Sequence, residues 1–420
     1  EMRMMMTRLA HASARVSAST LRICARPLST AVTSGTTGVF PLAPSPLQEF
    51  SVVYTDRALN HMSEPFKKVM LDMGNMFKDV YNAEHCVLIP GSGTYGMEAV
   101  ARQWATNEKV MVIRNGYFSF RWTDIFEWCN IPKEHIVVQA QSLPSTNGVP
   151  HHVQYQPCPI DELEEMIAKE KPAVLFAPHV ETSTGIILPD NYIQRASAAV
   201  HKVGGMMVLD CIASGTVWVD MESLGIDALI TAPQKGWTGP ACAGVVLLSK
   251  RGGEHTRNTK STSLCCNLGK WLEVMDSYEA GGFSYHTTMP TDALVVARDA
   301  MELTRDFGYE KASKHAWALG GAARELMAAK GLISVAAPGF ESPGVVVVHH
   351  DDGAVAGKFV AAGTQIAAGV PFKLGEHPDT KTFRIGLFGL DKLRDPEQTV
   401  ANLKKAMDIA VPDEPLAASA

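Results

Sequence analysis

The sequence predicts an α/β fold in which a mostly parallel sheet lies between layers of helices. Two observations predict it. Short apolar runs alternate with helical segments along most of the chain. The chain also has 420 residues, of which 46% are hydrophobic and 20% charged, and is therefore long enough to bury a large core. We expect one large domain and one smaller domain.

The predicted strands of the large sheet are short runs of aliphatic and β-branched residues at 86–89, 110–114, 136–139, 173–177, 206–209, 228–231 and 245–248. Helical patterns precede or separate these strands at 65–81, 95–104, 161–170 and 191–202.

A long helix over 291–308 is expected to lead into the smaller C-terminal domain, which has strands at 345–349 and 383–386 and a last helix at 396–410. This division predicts a large domain of residues 35–305, including an N-terminal arm. A small domain of residues 306–412 and a loose tail of residues 413–420 follow it.

The first 34 residues have a different composition from the rest of the chain. After Glu1 no acidic residue occurs before Glu49, and five arginines are spaced among serine, threonine and alanine. This composition is typical of an organellar transit peptide and predicts a mitochondrial location, with plastid and cytoplasm as alternatives. The competing interpretation is a disordered N-terminal tail that carries no targeting signal.

The net charge and the spacing of the cysteines argue against several kinds of partner. The net charge of −6 gives no reason to expect a nucleic acid or an anionic membrane as partner. The eight cysteines form no CxxC pair, so we predict no metal site. Apolar runs stay well below the ~20 residues that span a bilayer.

A glycine-rich turn at residues 91–94 (GSGT) stands between a predicted strand and a predicted helix. Such a turn offers free backbone N–H groups and the positive end of the helix dipole to an anion such as phosphate. Ser92 and Thr94 add hydroxyl donors, and Gly93 lies between them. A tight turn in which Thr94 caps the helix is the alternative interpretation.

Two ionisable residues follow consecutive predicted strands. Asp210 ends the apolar run MMVLD, and Lys235 follows the run ALITA, 25 residues later. Ligands of open α/β sheets bind at the carboxyl ends of strands, so one cleft can hold both side chains. A buried carboxylate suits a pyridine nitrogen, and a cleft lysine suits a Schiff base. A turn-capping aspartate and a surface lysine are the alternatives.

Arg384 lies between apolar residues of the predicted strand 383–386 and therefore needs a partner. A substrate carboxylate that accepts two hydrogen bonds from the guanidinium is one candidate, and a structural ion pair is the other.

Taken together, the motifs resemble those of class V aminotransferases, which are fold-type I enzymes that depend on pyridoxal 5′-phosphate (PLP). The resemblance covers residues 60–407. It rests on the motifs GSGT, NGYFSFRW, HVETSTG, VLDCIAS, APQKGW, YHTTMP and FRIGLFG. It implies the α/β fold of that class, with a large sheet of the seven-stranded type and a smaller α/β C-terminal domain.

The resemblance also implies roles for individual residues. Lys235 would carry PLP as a Schiff base and move the substrate proton, while Asp210 would pair with the pyridinium nitrogen. Phe118 would stack on the cofactor ring, and Arg384 would bind the substrate carboxylate. The remaining implied cofactor contacts are Ser92, Gly93, Thr94 and Gln234 at the phosphate, Ser183 near the phenolic oxygen, and Tyr285 and Thr288 from the second subunit of a homodimer.

Transamination from a small amino acid (alanine or serine type) to glyoxylate or pyruvate is the function that this resemblance favours. A 2-aminoethylphosphonate–pyruvate transaminase is the alternative, and a PLP-dependent β-lyase or cysteine desulfurase is a further one. The chain lacks the GPGP-type segment with which relatives open the mature domain. Arg57 and Arg121 could face an anionic substrate, although a surface position is the favoured interpretation for each.

Overall fold

A computed structural model describes residue 50 and residues 59–412. The predicted transit peptide, the C-terminal tail and Arg57 lie outside the described residues. Residues from His61 onward belong to one compact unit, to which the following description applies.

The main sheet has seven strands: β1 (His85–Pro90), β2 (Lys109–Arg114), β3 (Glu134–Gln139), β4 (Val174–Pro178), β5 (Met206–Asp210), β6 (Ala228–Thr231) and β7 (Ala243–Leu248). Their order is β1-β7-β6-β5-β4-β2-β3. Strand β7 runs antiparallel to both of its neighbours, and the other neighbouring pairs are parallel. The predicted mostly parallel seven-stranded sheet is therefore confirmed.

The central strands of this sheet are buried along their whole length. Every residue of β4, β5, β6 and β7 is buried. Helices on both faces produce this burial, which explains why the strands are continuous apolar runs rather than alternating ones. Asp210, the last residue of β5, is a polar exception and pairs with Pro178 of β4 and Ile230 of β6.

The described residues contain thirteen helices: α1 (Glu64–Tyr81), α2 (Gly93–Trp104), α3 (Tyr117–Cys129), α4 (Ile160–Glu170), α5 (Asp190–Lys202), α6 (Met221–Leu224), α7 (Lys250–Asn258), α8 (Leu268–Glu279), α9 (Thr291–Phe307), α10 (Tyr309–Ala329), α11 (Val355–Ala361), α12 (Leu390–Leu393) and α13 (Pro396–Ala410). Within this described part of the chain, none is both long and apolar enough to cross a bilayer.

A second, antiparallel sheet has the order β8-β10-β9 and consists of β8 (Val345–His349), β9 (Ala367–Ala368) and β10 (Thr382–Gly386). Helices α10 and α13 share a hydrophobic cluster with it that includes Leu319, Val346, Phe383 and Met407. Two short ladders, Gln141–Ser142 with Tyr155–Gln156 and Val180–Glu181 with Ile186–Ile187, complete the strands.

The predicted helix over 291–308 ends one residue early, and a second helix follows it directly. Gly308 separates α9 from α10 with a φ of 100°, a left-handed conformation that favours glycine. Helix α10 is absent from the sequence predictions. The domain boundary placed between residues 305 and 306 remains a prediction.

Candidate active site

One cavity of about 210 Å³ lies at the carboxyl edge of the main sheet. Strands β1, β4, β5 and β6 all end at this edge, because they run in the same direction. The loops after these strands and the first turns of α2 and α3 supply the lining side chains. Seven residues that the sequence analysis selected line this cavity: Ser92, Gly93, Thr94, Phe118, Asp210, Gln234 and Lys235.

The turn between β1 and α2 presents the polar groups of Ser92, Gly93 and Thr94 to the cavity. Ser92 is the N-cap residue in an extended conformation, and its side chain makes no capping hydrogen bond. Thr94, the alternative cap of the sequence analysis, lies instead in the first helical turn. A Cβ at Gly93 would come within 2.5 Å of Ile212 Cδ1, so a larger residue there would require the Ile212 side chain to move. The helix N–H groups and both hydroxyls therefore suit an anion.

Asp210 is 7% exposed, and its Oδ1 accepts a hydrogen bond of 2.9 Å from the backbone N–H of Ile212. Burial raises the pKa of this carboxyl group to about 7. The Ile212 hydrogen bond and the charge of Arg121 lower the pKa, whereas the charge of Glu181 raises it. A cationic partner inside the cavity would keep the carboxylate ionised at neutral pH.

Lys235 is partly buried, with Nζ 5.5 Å from the centre of the Phe388 ring. Burial lowers the pKa of this amine, and the nearby positive charge of Arg384 lowers it further. A lowered pKa increases the fraction of neutral amine, which is the nucleophilic and basic form.

Two guanidinium groups lie close to the Phe118 ring. Arg121 Cζ is 5.4 Å from the centre of this ring, and Arg384 Cζ is 5.8 Å from it. Arg121 also lines the cavity and donates a 3.0 Å hydrogen bond to Thr94 Oγ1, so the favoured interpretation of Arg121 as a surface residue is wrong. Arg384 does not line the cavity, and its Nε donates to the carbonyl oxygen of Ala368 at 3.0 Å.

Glu181 is a fully buried carboxylate that the sequence analysis did not select. It accepts five hydrogen bonds: from the backbone N–H groups of Phe118, Ser119 and Ser183, and from the hydroxyls of the two serines, over 2.7–3.1 Å. Because the N-cap residue of α3 is Gly116, which has no capping side chain, the free N–H groups of the first helical turn need an acceptor from elsewhere. That missing cap is the sequence signal that could have identified Glu181.

Three predicted contacts lie outside the cavity lining. The Ser183 hydroxyl donates to Glu181 and accepts from the backbone N–H of Tyr117 at 2.9 Å, while its neighbour Thr182 lines the cavity. Tyr285 and Thr288 are both exposed, and their hydroxyls are 3.3 Å apart. The roles assigned to these three residues remain predictions.

The polar groups around the cavity fit PLP. Gln234 Oε1 is buried without a hydrogen-bond partner among the described residues. The turn at 91–94 offers donors to a phosphate, and the buried Asp210 offers a carboxylate to a pyridinium nitrogen. Lys235 lines the same cavity and offers its amine to an aldehyde.

The fold and the lining of this cavity agree with one class of protein, the PLP-dependent aminotransferases. The chain belongs to the class-V aminotransferase family, whose sequence profile matches residues 34–367 and whose members use PLP. Similar characterised proteins include an alanine–glyoxylate aminotransferase of Felis catus (26% identity over 260 residues, 60% of this chain and 58% of that protein). A 2-aminoethylphosphonate–pyruvate transaminase of Phocaeicola vulgatus is 25% identical over 268 residues, 61% of this chain and 65% of that protein.

The structures of relatives agree with this assignment of the fold. The ureidoglycine–glyoxylate aminotransferase of Bacillus subtilis superposes with a TM-score of 0.71 at 20% identity, covering 85% of this chain and 89% of that one. In sequence, the chain spans less than two thirds of the length of the cat and Phocaeicola relatives.

Proposed function

We propose that the chain is a PLP-dependent transaminase that moves an amino group from a small amino acid, of the alanine or serine type, to glyoxylate or pyruvate. The observation that carries this proposal is that Lys235, Asp210 and the 91–94 turn share one cavity. The three groups suit the aldehyde, the ring nitrogen and the phosphate of one small molecule, PLP.

Each of these residues has a defined task in the proposed reaction. Bound PLP supplies a protonated ring that accepts electron density from the substrate Cα. Lys235 would hold the cofactor, and its neutral Nζ would take the proton from the substrate Cα. Asp210, ionised by its cationic partner, keeps the ring nitrogen protonated. Ser92 and Thr94 fix the phosphate and thereby the orientation of the ring.

The substrate class follows from the charges near the cavity. Arg384 lies against one side of Phe118 and can bind the carboxylate that amino acids and 2-oxo acids share. The name of the cat relative, alanine–glyoxylate aminotransferase, supports this choice.

An aminophosphonate donor is the second candidate, and Arg121 favours it. This arginine lines the cavity and adds a second cation that suits a phosphonate. The Phocaeicola relative carries the corresponding name. The desulfurase alternative gains no such support, because Cys242, Cys265 and Cys266 do not line the cavity.

We also propose that the protein forms a homodimer and is located in the mitochondrion. Exposed Tyr285 and Thr288 are available to the phosphate site of a second copy of the chain. The arginine-rich composition of residues 1–34 supports import into an organelle, with plastid or cytoplasm as alternatives.

A donor–acceptor screen tests the proposed function. The PLP-loaded enzyme is mixed with alanine, serine or 2-aminoethylphosphonate, and conversion of the cofactor to its aminated form is followed by absorbance. Glyoxylate or pyruvate should then restore the original spectrum. We expect alanine or serine to convert the cofactor, and conversion by 2-aminoethylphosphonate alone would select the second candidate. If no donor converts the cofactor, the proposal is wrong.

Three variants make the screen specific. Lys235→Ala should abolish conversion, whereas Lys250→Ala, at an exposed position at the start of α7, should leave it unchanged. Arg384→Gln should lower kcat/KM for carboxylate donors by about 10- to 100-fold, as expected for the loss of a charge-assisted hydrogen-bond pair.

A further inference from the structure

A cluster of histidines lies on the protein surface among residues with no part in the proposed reaction. His151 Nε2 is 2.8 Å from Asp351 Oδ1, and His152 Nε2 is 3.0 Å from the same oxygen. The three potential ligand atoms lie within 4.8 Å of one another. Two imidazoles therefore converge on one carboxylate, although 200 residues separate them from it in the sequence.

Other contacts of the protein hold these three side chains in place. The Thr380 hydroxyl donates to the carbonyl oxygen of His151 at 3.4 Å, and Lys381 Nζ donates to that of Asp351 at 3.1 Å. The ring of His349 stacks on that of His152, with centres 5.1 Å apart. The His151 and His152 side chains are 19% and 12% exposed, so the cluster is ordered by its surroundings yet open to solvent.

We propose that His151, His152 and Asp351 bind a divalent transition metal ion of the zinc type. Two imidazole nitrogens and one carboxylate oxygen are a ligand set that Zn²⁺ accepts, and water or a fourth side chain completes a tetrahedron. The His377 ring is 5.8 Å from that of His151 and is the candidate for this fourth position. Mg²⁺ and Ca²⁺ prefer oxygen ligands and are disfavoured by two imidazoles.

The ion would join two distant segments of the chain. His151 and His152 lie in the loop between the paired strands Gln141–Ser142 and Tyr155–Gln156, and Asp351 follows β8 of the C-terminal sheet. Binding to the folded chain alone would stabilise it, by an amount that rises with the logarithm of the metal concentration above Kd. The site is thus a structural link and is independent of the proposed transamination.

A substitution of Asn147 tests whether the metal binds Nε2 of His152. Its Oδ1 accepts a hydrogen bond from the backbone N–H of Val149, so its amide nitrogen faces His152 Nδ1 at 3.1 Å. A metal on Nε2 moves the ring proton of His152 to Nδ1, which then needs an acceptor. Asn147→Asp offers that acceptor and keeps the bond to Val149, so it should tighten metal binding.

Calorimetric titration of the full-length, PLP-loaded protein with ZnCl₂ tests the proposal. We expect one ion per chain, bound at least about tenfold more weakly after His151→Ala, His152→Ala or Asp351→Asn, and more tightly after Asn147→Asp. His135→Ala is the matched control, because His135 faces the single carboxylate of Glu127 at 3.7 Å, and it should bind like the wild type.

X-ray absorption and thermal melting complete the test. The bound zinc should show nitrogen and oxygen ligands at about 2.0–2.1 Å and no sulfur. Zinc should raise the melting temperature of the wild type but not of Asp351→Asn. Absence of stoichiometric binding, a sulfur-containing ligand shell, or binding that survives all three ligand substitutions would each overturn the proposal.

Discussion

The Asp210 carboxyl group is buried and, among the residues that the structure describes, forms no ion pair. Its pKa of about 7, against an ordinary value of 3.8, means that the cofactor-free fold favours the protonated acid. Stability from this group is therefore greatest at low pH and falls as pH rises from about 3.8 to about 7. Above pH 7 the loss is constant, at about 4 kcal/mol at most.

Asp210→Asn should stabilise the cofactor-free protein because it removes this buried charge. The gain should grow between pH 4 and pH 7 and then level off, as measured by urea unfolding across that range. The same substitution should weaken PLP retention. Asp227→Asn is the control: this buried carboxylate contacts Arg251 at 2.7 Å and His201 at 2.8 Å, so its loss should destabilise the fold. A gain from Asp210→Asn that does not vary with pH would contradict this account.

Individual site residues could be predicted from the sequence where they end or follow a strand at the carboxyl edge of the main sheet. Asp210 and Lys235 were selected on that basis, and both line the cavity. Glu181 was missed because its partners, the N–H groups of α3, lie more than 60 residues away in the sequence. Arg121 was assigned to the surface because spacing alone does not show that it contacts Thr94.

At the scale of elements, the position of α3 depends on the loop after β4. Glu181 in that loop accepts hydrogen bonds from two N–H groups of the first turn of α3, and this turn carries Phe118. A Cβ at Gly116 would lie 2.1 Å from Ser183 Oγ, so helix and loop approach too closely for any larger residue. The loop therefore sets the place of the aromatic ring at the cavity.

Glu181→Gln should destabilise the protein by about 2–3 kcal/mol in urea unfolding, since an amide oxygen replaces a buried carboxylate that accepts five hydrogen bonds. Asp220→Asn is the matched control, because Asp220 caps the short α6 through Ser223 N–H at the surface, and it should cost less than about 1 kcal/mol. Equal losses in the two variants would show that Glu181 does not hold α3.

Strands were easier to predict than helices. The buried strands are short aliphatic runs, which have few alternative interpretations. Helix α3 was missed because its sequence YFSFRWTDIFEWC carries aromatic residues on several faces, which hides the helical period. Helix α7 contains two adjacent glycines, and α10 follows α9 after a single residue, so neither shows an ordinary start signal.

At the scale of the whole molecule, the order of the sheet and the antiparallel direction of β7 were not predictable, because both depend on contacts between distant strands. The fold class was predictable from the alternation of strands and helices and from the motifs alone.

Three large apolar side chains are exposed and mark a surface that a second copy of the chain could cover: Leu264, Phe283 and Tyr285. The side chain of His286 hydrogen-bonds to the Leu264 carbonyl oxygen and so brings this residue close to Tyr285.

Analytical ultracentrifugation should therefore show a dimer. Leu264→Asp should shift it toward the monomer, because a charge in an apolar interface loses its hydration. Ile409→Asp, at another exposed apolar position on α13, should leave the dimer intact. A wild-type protein that sediments as a monomer at every concentration would refute the dimer.

We infer that Lys235 holds PLP in the cavity that Asp210 and the 91–94 turn share. Borohydride reduction of the PLP-loaded protein, followed by peptide mass spectrometry, tests it most directly. We predict a covalent label on Lys235 and its loss in Lys235→Ala. Labelling of a different lysine, or no stoichiometric labelling of the wild type, would contradict the account.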